Sequence, residues 1–181
     1  MSELIPALRD RKSVRIMSDR PVERAKIDAL IEAVRWSPSS NNKQPWKVLI
    51  CESAYARAAF AASLSPGNQS WAPRAPVQIA LLGNPTEQAE LFGQQRYLLD
   101  VGMALQSLLV QAVASGLNAR AMAGFDEAKA RAELAVAEPW RVVALVGVGY
   151  PGLLGDYPAD VQEKEGRARG RKAVSEIAAF V

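Results

Sequence analysis

Apolar residues recur along this chain at two spacings, and the switches between them mark out its elements. In "PVERAKIDALIEAVRW", Ile27, Leu30, Ile31 and Val34 fall on one helical face. Pro21 precedes that pattern and Ser37-Pro38 stops it. "WKVLICE" reads as a strand, and "SAYARAAFAASL" as a helix capped by Ser53. "SPGNQSWAPRAP" is loop by composition. "VQIALLG" is a nearly continuous apolar run, as expected of a strand covered on both faces. In "QQRYLLDVGMALQSLLVQAVASG", Leu98, Val101, Leu105, Leu108, Leu109 and Ala112 return to helical spacing, and Gly116 suits the C-terminal cap. "NARAM" is a short strand, Asp126 can cap a helix over "EAKARAELA", and "WRVVALVGVGY" is the last strand. A short first helix, capped by Ser2, ends before "RKSVR". The pattern predicts one α/β-type domain of about four or five strands, with helices on both faces of the sheet.

Composition narrows the class. The 181 residues suffice for one domain with a sizeable core, and 49% hydrophobic against 23% charged argues against disorder. A net charge of +3 is too small to imply nucleic acid, and no Lys/Arg block interleaves with aromatics. It does favour an anionic ligand. There is no histidine, which removes the commonest general base and metal ligand, so zinc sites and the usual triad hydrolases are disfavoured and no metal is expected. Cys51 is alone, so no disulfide forms within the chain, and its apolar run makes it a buried, inert thiol. The N-terminus is charged and lacks an apolar signal region, which gives a cytoplasmic expectation. The long apolar stretch from Leu98 to Leu117 carries Asp100, Gln106 and Gln111, so it reads as a core helix rather than a membrane span.

Four short stretches carry candidate chemistry. "GVGYPG" formally matches the dinucleotide fingerprint, but Pro151 sits in the turn and no helix pattern opens behind it, so a strand-terminating turn is the better account. "RDRKSVR" sets Arg9, Arg11, Lys12 and Arg15 around Ser13, and "RARGRK" supplies Arg167, Arg169, Arg171 and Lys172. Each alone is a solvated basic run; together they could close on one anion, because guanidinium forks suit phosphate oxygens. "RWSPSSNNKQPWKVLI" packs Ser39, Ser40, Asn41, Asn42 and Gln44 between two prolines and two tryptophans, Trp36 and Trp46, which read as anchors for a polar turn.

With those residues in place the chain resembles the nitroreductase superfamily of FMN-dependent, NAD(P)H-utilising oxidoreductases. "RKSVR" followed by "SPSSNNKQPW" is similar to that family's opening R-x-S-x-R and P-S-x-x-N-x-Q-P-W. "GNQSWAPRAPVQIALL", "YLLDVGMALQSLLVQAVASGL", "MAGFD", "VVALVGVGYP" and "RGRKAVSEIAAFV" continue in the family's order, so the resemblance covers nearly the whole chain.

The resemblance implies an α+β, nitroreductase-like fold, with a central, mostly antiparallel sheet flanked by helices. It implies a single FMN-binding domain over 1–181, in a homodimer whose C-terminal extension, about 153–181, is exchanged with the partner. Arg11, Lys12, Ser13 and Arg15 would meet the phosphate and the pyrimidine side of the flavin, with Arg169 and Arg171 closing on the phosphate. Pro38, Ser39, Ser40, Asn41 and Asn42 would line the ring from the partner chain, Asn68 would bond the pyrimidine edge, and Ala123 and Gly124 would pass near N5. Chemistry would rest on flavin N5 with electrostatic support from Arg15 and no catalytic side chain. NADH or NADPH would give hydride in ping-pong order to a nitroaromatic, quinone or similar small acceptor. The alternatives are a specialised flavin enzyme of this fold (dehalogenase, ring oxidase or oxygen-dependent) and a non-catalytic flavin-binding or redox-sensing protein. The chain departs from the family in two places. The segment between "VQIALLG" and "QQRYLLD" is short, so little lid is expected. No lysine follows Asn68 where some members keep a second cation; Trp71 stands near that place, and Arg74 is the candidate substitute.

Overall fold

Four strands, β1 (Trp46–Ile50), β2 (Val77–Gly83), β3 (Asn118–Met122) and β4 (Arg141–Gly149), form one sheet in the order β1-β2-β4-β3, each pair antiparallel. The structure is a computed structural model describing residues 4–88 and 90–181. β2 is buried along its whole length, which explains its unbroken apolar run. Val77, Ile79 and Leu81 face one side of the sheet and Ala80 and Leu82 the other. The register slips between Leu81, opposite Ala144, and Leu82, opposite Val142. Val143 is the extra residue of a bulge, so β4 switches parity there: Val142 and Leu145 share one core, Val143 and Val146 the other.

Helices cover both faces. α2 (Arg24–Arg35) and α5 (Arg96–Ala114) bury Leu30, Val34, Val101, Ala104 and Leu108 on one side. α3 (Ala54–Ser63), α6 (Glu127–Glu133) and α7 (Ala159–Glu165) bury Phe60, Ala130 and Val161 on the other. Short helices α1 (Pro6–Asp10) and α4 (Pro66–Gln69) complete the set. α5 is long and apolar enough to cross a bilayer, yet its apolar stripe is spent on the sheet and α2, as the polar residues within it predict.

The expected caps are present. Ser53 accepts from Ala56 N–H and Asp126 from Lys129 N–H. Gly116, at φ +72°, ends α5 in the left-handed region. Ser2, the expected cap of α1, lies outside the described residues; the observed α1 starts at Pro6.

The α/β-type expectation drawn from pattern alone gives way to α+β, since every strand pair is antiparallel; the resemblance had implied as much. Two other expectations change. "SPGNQSWAPRAP" is not plain loop: it winds through α4 and a 3₁₀ turn at Ala72–Arg74 around a fully buried Trp71. Trp36 is no anchor within the chain, being 76% exposed, whereas Trp46 packs against the α2–α5 core. α7 carried no helical signal in the sequence, because only Val161 of its residues is buried.

The glycines of "GVGYPG" have packing jobs. A Cβ at Gly147 would stand 3.1 Å from Ala75 and 3.3 Å from Trp71; at Gly149, 2.7 Å from Pro76; at Gly152, 2.5 Å from the Met17 backbone. They let β4 and its turn lie flush against the Trp71–Pro76 segment and the chain after "RKSVR". The strand-terminating reading holds: β4 ends at Gly149 and Pro151 bridges Met17.

Candidate functional site

β3 is an edge strand, and the "RKSVR" segment runs beside it. Asn118 Nδ2 donates to the Ile16 carbonyl at 3.0 Å and Arg120 donates to the Ser13 carbonyl at 2.5 Å. From the other end of the chain, α7 presents Glu165, whose carboxylate accepts from Arg15 N–H at 3.1 Å and pairs with the Arg15 guanidinium at 3.5 Å. The chain then turns after Gly166 and brings Arg169 back, donating to the Arg9 carbonyl at 2.6 Å.

The result is an open cleft of about 220 Å³ lined by Arg11, Lys12, Ser13 and Arg15 on one wall, and by Glu165, Arg169 and Arg171 on the other. Lys164 and Arg167, also on its rim, are paired with Asp160 and Glu163. Arg11, Lys12, Arg169 and Arg171 have no carboxylate partner among the described residues. Burial, then Arg169 and Arg171 as like charges, push Arg11 below its ordinary value. Cations held together without counter-charge are a site awaiting an anion. The donor set fits a phosphate: several forked guanidiniums and the Ser13 hydroxyl line the cleft, and its one acid, Glu165, is already engaged by Arg15.

Along the same face lies a second cluster. Asn68 Nδ2 donates to the Gly124 carbonyl at 2.9 Å, and Trp71 Nε1 donates to Asn68 Oδ1 at 3.3 Å. A Cβ on Gly124 would sit 2.8 Å from Ser65 Oγ and 2.9 Å from Asn68 Nδ2, so this glycine is dictated by the Asn68 contact. Arg120 links the two clusters, holding Ser13 while its guanidinium lies 5.7 Å from the Trp71 ring centre. Arg120 and Glu165 both escaped the sequence reading. Neither stands in a motif: Arg120 lies in the short strand "NARAM" and Glu165 in the run "EKEGRARGRK". Arg74, the expected substitute cation, is turned away: it donates to the Asp156 carbonyl and stacks on Tyr157.

The loop Pro38–Asn42 makes its contacts elsewhere. Ser40 N–H points at both Asp100 oxygens at 3.3 Å, Gln88 Nε2 reaches the Ser40 carbonyl at 3.0 Å and Asp100 at 2.6 Å, and Arg96 donates to Ser40 Oγ. Gln44 N–H donates to Ser39 Oγ at 2.9 Å. Asn41, Asn42 and Gln44 all have left-handed backbones, at φ +53°, +54° and +49°. Asparagine tolerates that region, glutamine less so, and such strain persists only where surroundings enforce it. The clasp on Asp100 supplies the enforcement, and leaves the Asn41 and Asn42 side chains exposed. Among the described residues, no side-chain hydrogen bond or ion pair joins this loop to the basic cleft.

The "Nitroreductase family" sequence model matches residues 8–68 and 54–150. The chain belongs to the nitroreductase family. Among the chain's relatives is a Streptomyces coelicolor protein provisionally named NADH dehydrogenase/NAD(P)H nitroreductase. It is 27% identical over 161 residues, covering 78% of this chain and 80% of its own. A Bacillus subtilis protein named FMN reductase [NAD(P)H] is 30% identical over 118 residues, covering 65% of this chain and 47% of its own. A crystal structure described as an oxidoreductase containing FMN superposes with a TM-score of 0.85 at 25% identity, over 98% of this chain and 91% of that one. The fold expectation is thereby met at the level of the family; of the basic cleft, Arg11, Lys12, Ser13 and Arg15 fall within the matched residues.

Proposed function

We propose that this protein is an FMN-dependent NAD(P)H oxidoreductase acting as a homodimer on small electron acceptors such as nitroaromatics or quinones. The observation that carries the reading is the convergence of basic residues from both chain ends in one cleft, beside the Asn68–Gly124 pair, in a nitroreductase fold. Arg11, Lys12, Ser13, Arg169 and Arg171 would hold the FMN phosphate, and Asn68 and Arg15 its polar ring edge. FMN when bound supplies the hydride-accepting centre that the histidine-free chain lacks. Arg15 is held by Glu165 at the cleft, where its charge favours negative charge building on a ligand. Asn68 is fixed from both sides, by Gly124 and by Trp71, so its amide is pre-oriented at little entropic cost on binding. Ala123 and Gly124 offer exposed backbone just beyond β3.

The strained loop Pro38–Asn42 leaves its Asn41 and Asn42 amides exposed and is absent from the lining of its own basic cleft, which fits the reading that it walls the site of a second copy. Beyond Gly166 every residue is exposed, among them Val174, Ile177 and Phe180. An apolar tail of that kind suits exchange with a partner. The segment from 153 to 171 lies on its own chain instead, with Tyr157 and Val161 in the core and Arg169 on the Arg9 carbonyl, so the exchanged part begins after Lys172.

The test is direct. Purified protein carries a flavin absorbance spectrum, and anaerobic NADH or NADPH bleaches it; ping-pong kinetics follow with an acceptor. Protein that stays colourless after FMN is added and excess removed overturns the reading. Flavin that neither nicotinamide bleaches favours the specialised or non-catalytic alternatives, and an acceptor screen then identifies the substrate.

A further inference from the structure

The charges at and beside the cleft fall into two groups. Arg11 lines it with Arg169 and Arg171, whereas Arg120, just outside that lining, holds the Ser13 carbonyl near the Arg15–Glu165 pair. The first group is the phosphate set. In the second, Glu165 is already engaged twice by Arg15, through its backbone N–H and its guanidinium. Arg120 has no ion pair of its own among the described residues, and its Nε is buried with no hydrogen-bond partner. Two guanidiniums against one carboxylate leave one positive charge unmatched. Burial and the Arg15 charge both push Arg120 below its ordinary value, and Glu165 only partly offsets them. A half-buried, half-bonded cation costs stability unless something else meets it.

The position is prepared for that cation. Arg120 stands opposite Gly147 on β4, where the missing side chain lets the buried Trp71 lie close over the sheet. The guanidinium rests by the Trp71 ring, whose Nε1 in turn holds Asn68. Arg120 therefore belongs to the Asn68 side of the cleft, away from Arg169 and Arg171.

We propose that Arg120 is a further cofactor-binding residue, a cation aimed at the end of the cofactor away from the phosphate, where it favours the reduced, more negatively charged form. This rests on the FMN reading above. The phosphate carries its charge in both redox states, so a cation near it changes overall affinity. A cation on the Asn68 side changes the affinity ratio between the two states, and that ratio sets the midpoint potential.

The experiment compares Arg120→Met and Arg120→Lys with the unmodified protein. It uses three readouts: affinity for oxidised FMN by fluorescence titration, midpoint potential by equilibration with redox dyes, and thermal midpoint of the apoprotein. In Arg120→Met, the preference for reduced over oxidised FMN falls about tenfold, a drop of about 30 mV for a two-electron couple. Affinity for the oxidised form stays near that of the parent, and Arg120→Lys recovers most of the potential. An unchanged potential in Arg120→Met, with only a lowered thermal midpoint, overturns the proposal and leaves Arg120 a brace between Ser13 and Trp71. A drop that lysine does not recover overturns it also. If Arg120→Met fails to fold, Arg120→Gln takes its place against Arg120→Lys. Failure of the unmodified protein to bind FMN refutes the underlying reading, and is seen before any variant is made.

Discussion

Gly124 has no room for a side chain, and its neighbours explain why. The Asn68 amide and the Ser65 hydroxyl already occupy the volume a methyl group would take. Gly124→Ala is expected to cost about 1–3 kcal/mol through overpacking and to push the Asn68 amide off the Gly124 carbonyl. Thermal denaturation reads the first effect and weakened FMN retention the second. Arg11→Ala combined with Arg171→Ala removes one guanidinium from each wall of the cleft, and is expected to release FMN during gel filtration. Retention equal to the parent's would refute the phosphate clamp. Cys51 makes a control: burial pushes its thiol up to about 11, so it should resist thiol reagents at mildly alkaline pH until the chain is unfolded. At this scale the sequence disclosed what stands out against composition, such as basic clusters and a lone cysteine in an apolar run. Arg120 and Glu165 were invisible because their roles come from what packs beside them, not from any spacing along the chain.

Elements show where local signals suffice and where they do not. α2 and α5 carry periodicity with signals at their ends, and α3 and α6 carry N-terminal caps. The order β1-β2-β4-β3 is set by long-range pairing, and α4 and the Ala72–Arg74 turn by the burial of Trp71, none of which is local. Two clasps between elements invite tests. Asp100, 2% exposed on α5, holds the left-handed loop through Ser40 and Gln88. Asp100→Ala leaves those donors unmet at about 1–3 kcal/mol. Amide exchange should quicken over residues 39–44 while the helical circular dichroism is kept. Glu127, at the start of α6, binds Arg141 and Val142 N–H on β4, and the Arg141 hydrogen bond holds its carboxyl below the ordinary value of 4.5. A carboxyl lowered in the folded state contributes stability above its unfolded value, and loses it as pH falls through the folded one. Glu127→Gln should therefore lower the thermal midpoint at neutral pH, with the gap to the parent closing as pH falls below about 4.

For the whole molecule, the proposed dimer turns on the exposed tail. A chain ending at Lys172 keeps Arg169 and Arg171 of the basic cleft but loses Val174, Ile177 and Phe180. Light scattering should find the full chain dimeric and the shortened chain monomeric, with weaker flavin retention in the latter. Equal masses would remove the tail from the interface. The cleft has one more consequence, in time rather than space. Its walls are joined by contacts spanning 150 and 160 residues of chain. At a synthesis rate of about 5–20 residues per second, the first wall waits roughly 8–30 s for the second to be made. Cofactor loading then waits for the second wall, and a nascent chain stalled before Arg169 stays uncoloured however well its sheet has formed. The yellow of the protein would report that the two walls had met.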